Sequence, residues 1–142
     1  MTTHASRQAR RGFTLIEILI AIAIVAIMGA IVVPTFMSYR ARAQDRAAKA
    51  SIKAIQLQIE SFRTDIGQYP ESLKDLVKKP MNEDLAKNWV APYLKEKDLN
   101  DPWGAKYQYH LTPEQENPYE LYSYGPKGKS ATQKERISVW DL

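Results

Sequence analysis

The chain has 142 residues, no cysteine, two histidines and a formal net charge of +4. The lack of cysteine excludes disulfides and thiolate metal sites, and His4 and His110 lie on opposite sides of a long apolar run, which argues against a paired-histidine metal or catalytic site. Arg7, Arg10 and Arg11 carry +3 of the charge; the rest holds 17 basic against 16 acidic side chains, so the basic balance is a leader property and predicts no nucleic-acid partner.

The first element is the apolar run 13–33, in which Glu17 is the only ionisable side chain among 21 residues. As a helix it would span about 31 Å, the thickness of a hydrocarbon core, so it is predicted to cross a membrane once. The arginines before it predict a cytoplasmic N-terminus and an outward-facing remainder. A charge at membrane depth costs about 2.5–3.5 kcal/mol, so Glu17 needs a compensating feature.

Cleavage after Gly12 would supply one. Gly12 lacks a Cβ and lets the backbone enter a tight peptidase site. The cut would expose an amine on Phe13 and leave Glu17 one turn from the positive end of the helix. A neighbouring copy's amine could then pair with Glu17, replacing two uncompensated charges with a neutral couple. Ala41-Arg42-Ala43 has the small-x-small shape of an ordinary signal cut but lies well beyond the apolar run. The alternative is an uncleaved anchor that tolerates its glutamate.

The helix is expected to continue through 34–66. Pro34 removes one backbone hydrogen bond and predicts a kink. Ala48, Ile52, Ile55, Ile59, Phe62 and Ile66 recur every three or four residues and predict one buried stripe, with Arg46, Lys49, Lys53, Glu60 and Arg63 on the other side. Gly67 is the expected C-cap, and Tyr69-Pro70 turns the chain.

Residues 67–142 are predicted to form a small α+β domain. A short helix is expected over 71–79, with Leu73, Leu76 and Val77 on one face. The stretch 81–100 reads as packed short helix or loop around Trp89, Val90, Tyr93 and Leu94. Asp101-Pro102-Trp103-Gly104 is a turn. Strands are predicted over 106–111 and 119–124, joined by a polar hairpin loop 112–118, with Tyr119, Leu121 and Ser123 sharing one face. Ile137, Val139 and Trp140 form a last apolar patch that returns to the core. The fold class is therefore α+β: a long N-terminal helix packed on a small antiparallel sheet.

Gly12-Phe13-Thr14-Leu15-Ile16-Glu17, between a basic leader and an apolar run, resembles the N-terminal signal of type IV pilins and type II secretion pseudopilins. Asp101-Pro102-Trp103-Gly104, Ser123-Tyr124-Gly125-Pro126 and Gly67-Gln68-Tyr69-Pro70 make the chain similar to the major pseudopilins of type II secretion. The resemblance implies a pilin-like fold and a leader, 1–12, removed by a prepilin peptidase between Gly12 and Phe13. It also implies N-methylation of Phe13 and a role for Glu17 in subunit assembly. It implies a homopolymer in the periplasm, anchored in a bacterial inner membrane and built with minor pseudopilins and an inner-membrane assembly platform, that drives export of folded proteins. The alternative, a type IV pilin of an adhesion, motility or DNA-uptake filament, is disfavoured because such pilins usually carry a C-terminal disulfide.

The resemblance also implies a calcium-binding acidic loop after Gly125-Pro126. Here residues 127–136 hold Lys127, Lys129, Lys134 and Arg136 against Glu135 alone, a net +3. Calcium requires several oxygen ligands, typically carboxylates. The expectation is therefore no calcium and no other cofactor, with a lysine or arginine bridging to a carboxylate instead.

No enzyme is expected. There is no Gly-x-Ser-x-Gly, no phosphate-binding glycine loop and no metal-spaced His/Glu set. Glu114 and Glu116 fall in a hairpin loop, where solvation is the simpler role than paired carboxylate catalysis.

Overall fold

The computed structural model describes residues 12–90 and 92–142. The N-terminal arginines, Arg7, Arg10 and Arg11, lie outside the described residues. The chain forms two compact units, Met1–Arg40 and Ala41–Leu142.

Helix α1 runs over Leu15–Ile66 and contributes to both units. Its N-terminal part is apolar and exposed: Ile16, Ile20, Ile24, Ile27 and Ile31 are all open to their surroundings. It is the one helix among the described residues long and apolar enough to cross a membrane. Pro34 lies inside α1 without ending it.

In the second unit α1 buries the stripe read from its periodicity. Ala48, Ile52, Ile59 and Phe62 are fully inaccessible, Ile55 nearly so, and Ile66 ends the row. Burying each large side chain stabilises the fold by about 1.5–3 kcal/mol relative to exposure. Gly67 stops the helix at φ +88°, a left-handed conformation that an added Cβ disfavours, and its N–H donates to Arg63 O at 2.8 Å.

The helix expected over 71–79 is a single 3₁₀ turn, Leu73–Leu76, that buries both leucines. Pro80 has no N–H to offer the Leu76 carbonyl, which accepts instead from Tyr93 N at 2.7 Å and Leu94 N at 3.0 Å, so the helix ends there. At the start of the turn the Asp75 carboxylate accepts from Ser72 N at 2.7 Å. A short α2, Glu83–Ala86, and a 3₁₀ turn, Glu96–Leu99, follow. Trp89 is anchored by donating Nε1–H to Asp75 O at 2.9 Å. Val90, expected in the packed group, is exposed instead.

Three antiparallel strands complete the unit: β1 (Gln108–Leu111), β2 (Tyr119–Ser123) and β3 (Ile137–Ser138), in the order β1-β2-β3. β1 is shorter than the expected 106–111; Lys106 makes only an isolated bridge to Asn100. Tyr119 pairs with Leu111 and Ser123 with Ile137. Tyr119, Leu121 and Ser123 share the buried face of β2, as the two-residue alternation requires. With α1, Leu76, Leu85 and Val139 they close a single core.

Candidate functional site

Two segments carry the chemistry read from the sequence. The first is the start of α1. Gly12 and Phe13 precede the helix and are exposed, so nothing among the described residues covers the bond between them. Glu17 Oε2 accepts from Thr14 N at 2.8 Å and from the Thr14 hydroxyl at 3.0 Å, while Glu17 N donates to Thr14 Oγ1 at 3.3 Å. This is a reciprocal capping box, in which two backbone donors at the helix start find side-chain acceptors. The Thr14-x-x-Glu17 spacing carries that signal in the sequence itself. The structure therefore brings Glu17 to the helix origin. It shows a local partner, Thr14, that reasoning from charge alone missed.

The second segment follows β2. Gly125–Ser130 forms a 3₁₀ stretch interrupted at Gly128, whose φ is +58°. Glu135 then reaches back across the loop. Its Oε1 accepts from Lys127 Nζ, and its Oε2 accepts from Thr132 N at 3.0 Å. Lys127 first, and then the Thr132 hydrogen bond, lower the Glu135 pKa from 4.5 to about 2. Arg136 lies over the Tyr122 ring at 4.8 Å and the Tyr124 ring at 5.4 Å. Its charge is thus held against aromatic faces rather than a carboxylate. This contact has no local sequence signature. Lys129 and Lys134 are exposed.

The one carboxylate of loop 127–136, Glu135, has both oxygens engaged by Lys127 and Thr132, and the loop's remaining ionisable groups are cations. Among the described residues no group of three or more histidine, cysteine or carboxylate side chains could hold a metal.

A groove of about 230 Å³ lies between the β1–β2 loop and the C-terminal segment, lined by Gln115, Glu120, Tyr122, Gln133, Arg136 and Trp140. Glu114 and Glu116 are exposed in the hairpin loop, and His110 is exposed on β1.

A capped, exposed apolar helix leading into an α+β head defines the pilin-like class. The model of the prokaryotic N-terminal methylation motif matches residues 7–33, and that of type II secretion system (T2SS) protein G matches residues 35–140. The chain belongs to the type II secretion system protein G family. It is 40% identical over 141 residues to the type II secretion system core protein G of Pseudomonas aeruginosa, covering 95% of this chain and 98% of that protein. It is 32% identical to the protein of the same description from Escherichia coli, covering 94% and 92%. The crystal structure of the major pseudopilin from the type 2 secretion system of enterohaemorrhagic Escherichia coli matches with a TM-score of 0.62 at 28% identity. That match covers 79% of this chain and 99% of the other.

Proposed function

We propose that residues 13–142 are the major repeating subunit of a periplasmic pseudopilus that drives folded proteins through the outer membrane. The observation that carries this reading is the exposed apolar start of α1, with one carboxylate, Glu17, at its origin. Such a surface is stable only when lipid or other copies cover it. In this reading the chain spans the bacterial inner membrane once, with its N-terminus cytoplasmic and residues 67–142 periplasmic. A prepilin peptidase cuts between Gly12 and Phe13, and the new amine of Phe13 is methylated.

On assembly, Glu17 pairs with the Phe13 amine of a neighbouring copy. A charged couple in a dry filament core costs far less than two separate charges. Pro34 supplies the kink that lets α1 adapt on leaving the membrane. Minor pseudopilins and an inner-membrane platform start and guide the polymer. The subunit itself catalyses nothing, binds no nucleic acid and holds no calcium; the Lys127–Glu135 pair takes the structural place of a metal in the loop.

Glu17→Leu tests the reading. In a strain lacking the native gene, this variant is expected to insert and to be cleaved after Gly12, yet to form no filaments and export no substrate. Normal filaments and export would refute the role of Glu17. Twitching and DNA uptake scored in the same strain separate export from a type IV pilus.

A further inference from the structure

Charge is segregated in the second unit. Between Ala41 and Lys53, α1 carries Arg42, Arg46, Lys49 and Lys53 against a single carboxylate, Asp45. The four cations follow at intervals of four, three and four residues, so they share one helical face. All four are exposed, away from the buried row at Ala48, Ile52 and Ile55. Asp45 pairs with Lys49 at 2.9 Å. Among the described residues no carboxylate lies within 4.0 Å of Arg42, Arg46 or Lys53.

The β1–β2 hairpin has the opposite character. From Leu111 to Leu121 there are three glutamates, Glu114, Glu116 and Glu120, and no lysine or arginine. All three are exposed, and none makes an ion pair among the described residues.

Within one chain these surfaces are kept apart. The base of the hairpin sits level with Glu60, because Tyr119 OH donates to Glu60 Oε1 at 3.4 Å. The far end of β2 sits toward the start of this unit: Ser123 bonds Asp101, and Gln44 Nε2 donates to Pro102 O at 3.2 Å. From the middle of the basic row to Glu60 is therefore about 20 Å along α1. A second copy displaced by that distance would bring the base of its hairpin level with the basic row.

We infer that the α1 face formed by Arg42, Arg46, Lys49 and Lys53 receives the Glu114–Glu120 hairpin of a second copy. The inference rests on the filament reading above and adds the contact that sets the axial register between subunits. Exposed pairs are individually weak, but opposed charged patches select register and reject like-charged alignments. Anionic lipid is the less suitable occupant, because it would leave the three exposed glutamates of the hairpin without a cationic partner.

The test uses full-length chains in a secretion-competent host. E114K/E116K/E120K and R42E/R46E/K53E are each expected to lower filament yield about tenfold, because like charges then face one another. Combining both sets should restore filaments, which a folding defect would not permit. As the chain has no cysteine, Gln115→Cys with Ala50→Cys should give an oxidised ladder of linked copies, and neither single variant should. Unchanged filaments from both charge-reversed chains, or no ladder in filaments that form normally, would overturn the inference and leave the filament reading standing. Absence of filaments from the unsubstituted chain would sink both. If R42E/R46E/K53E lost binding to phosphatidylglycerol vesicles while polymerising normally, the face would belong to lipid and the inference would fail.

Discussion

Ser123 Oγ donates to Asp101 Oδ2 at 2.6 Å, joining two buried residues 22 positions apart. Asp101 Oδ1 accepts from Trp103 N at 3.0 Å and from Ala105 N at 2.9 Å, which shapes the Asp-Pro-Trp-Gly turn. Ser123 Oγ in turn accepts from Gly125 N at 2.9 Å, at the entry to the basic loop. The two motifs that look separate in the sequence are one hydrogen-bonded corner.

Ser123→Ala should therefore destabilise the second unit by about 1–3 kcal/mol, since a buried carboxylate oxygen and the Gly125 N–H both lose a partner. Asp101→Ala should cost more, because three donors lose their acceptor. Asp101→Asn should be milder, as its side-chain carbonyl can still accept from Trp103 and Ala105. Denaturant unfolding of the detergent-solubilised chain, followed by tryptophan fluorescence, measures the order; equal stability of all three variants would contradict the corner.

Ile59→Ala should cost about 2–5 kcal/mol, from lost burial and the cavity left behind. Leu57→Ala, two residues away on an exposed side of α1, should change stability by about 0.5 kcal/mol or less. The same unfolding measurement compares them.

Gly67→Ala should cost about 1 kcal/mol, because φ +88° is unfavourable for a residue with a Cβ, although open space surrounds the position. Gly67→Asn should fall between the two, as asparagine tolerates the left-handed region. Thermal melting resolves the series.

Glu135 has its pKa lowered from 4.5 to about 2, first by Lys127 and then by Thr132. The ionised form is thus favoured by the fold. Its contribution is present above the unfolded value near 4.5 and is lost as pH falls from there through about 2. Carboxyl NMR should give a midpoint well below 4.5, and Lys127→Ala should return it toward 4.5. The pair is exposed, so added salt should weaken the effect.

Calcium and a chelator should leave the melting temperature of the unsubstituted chain unchanged, since Glu135 is already engaged by Lys127 and Thr132. A chelator-reversible rise in melting temperature with calcium would show that the loop binds the ion.

The apolar start of α1, the buried row from Ala48 to Ile66, the Gly67 cap and the inward face of β2 were all legible in the sequence. Each depends on near neighbours: hydropathy over one run, periods of 3.6 or 2, or a glycine where φ turns positive. The charge of loop 127–136 was equally plain, because composition survives any folding. The 71–79 helix was overread, because its leucine spacing carries no record of Tyr93 and Leu94, whose N–H groups take the Leu76 carbonyl. Strand β3 was missed because two residues give no alternation to detect. Only the tertiary structure brought Asp101 to Ser123, laid Arg136 over Tyr122 and Tyr124, and separated the basic α1 face from the acidic hairpin. Those relations join residues distant along the chain, and their energies exist only once the core has closed and excluded water.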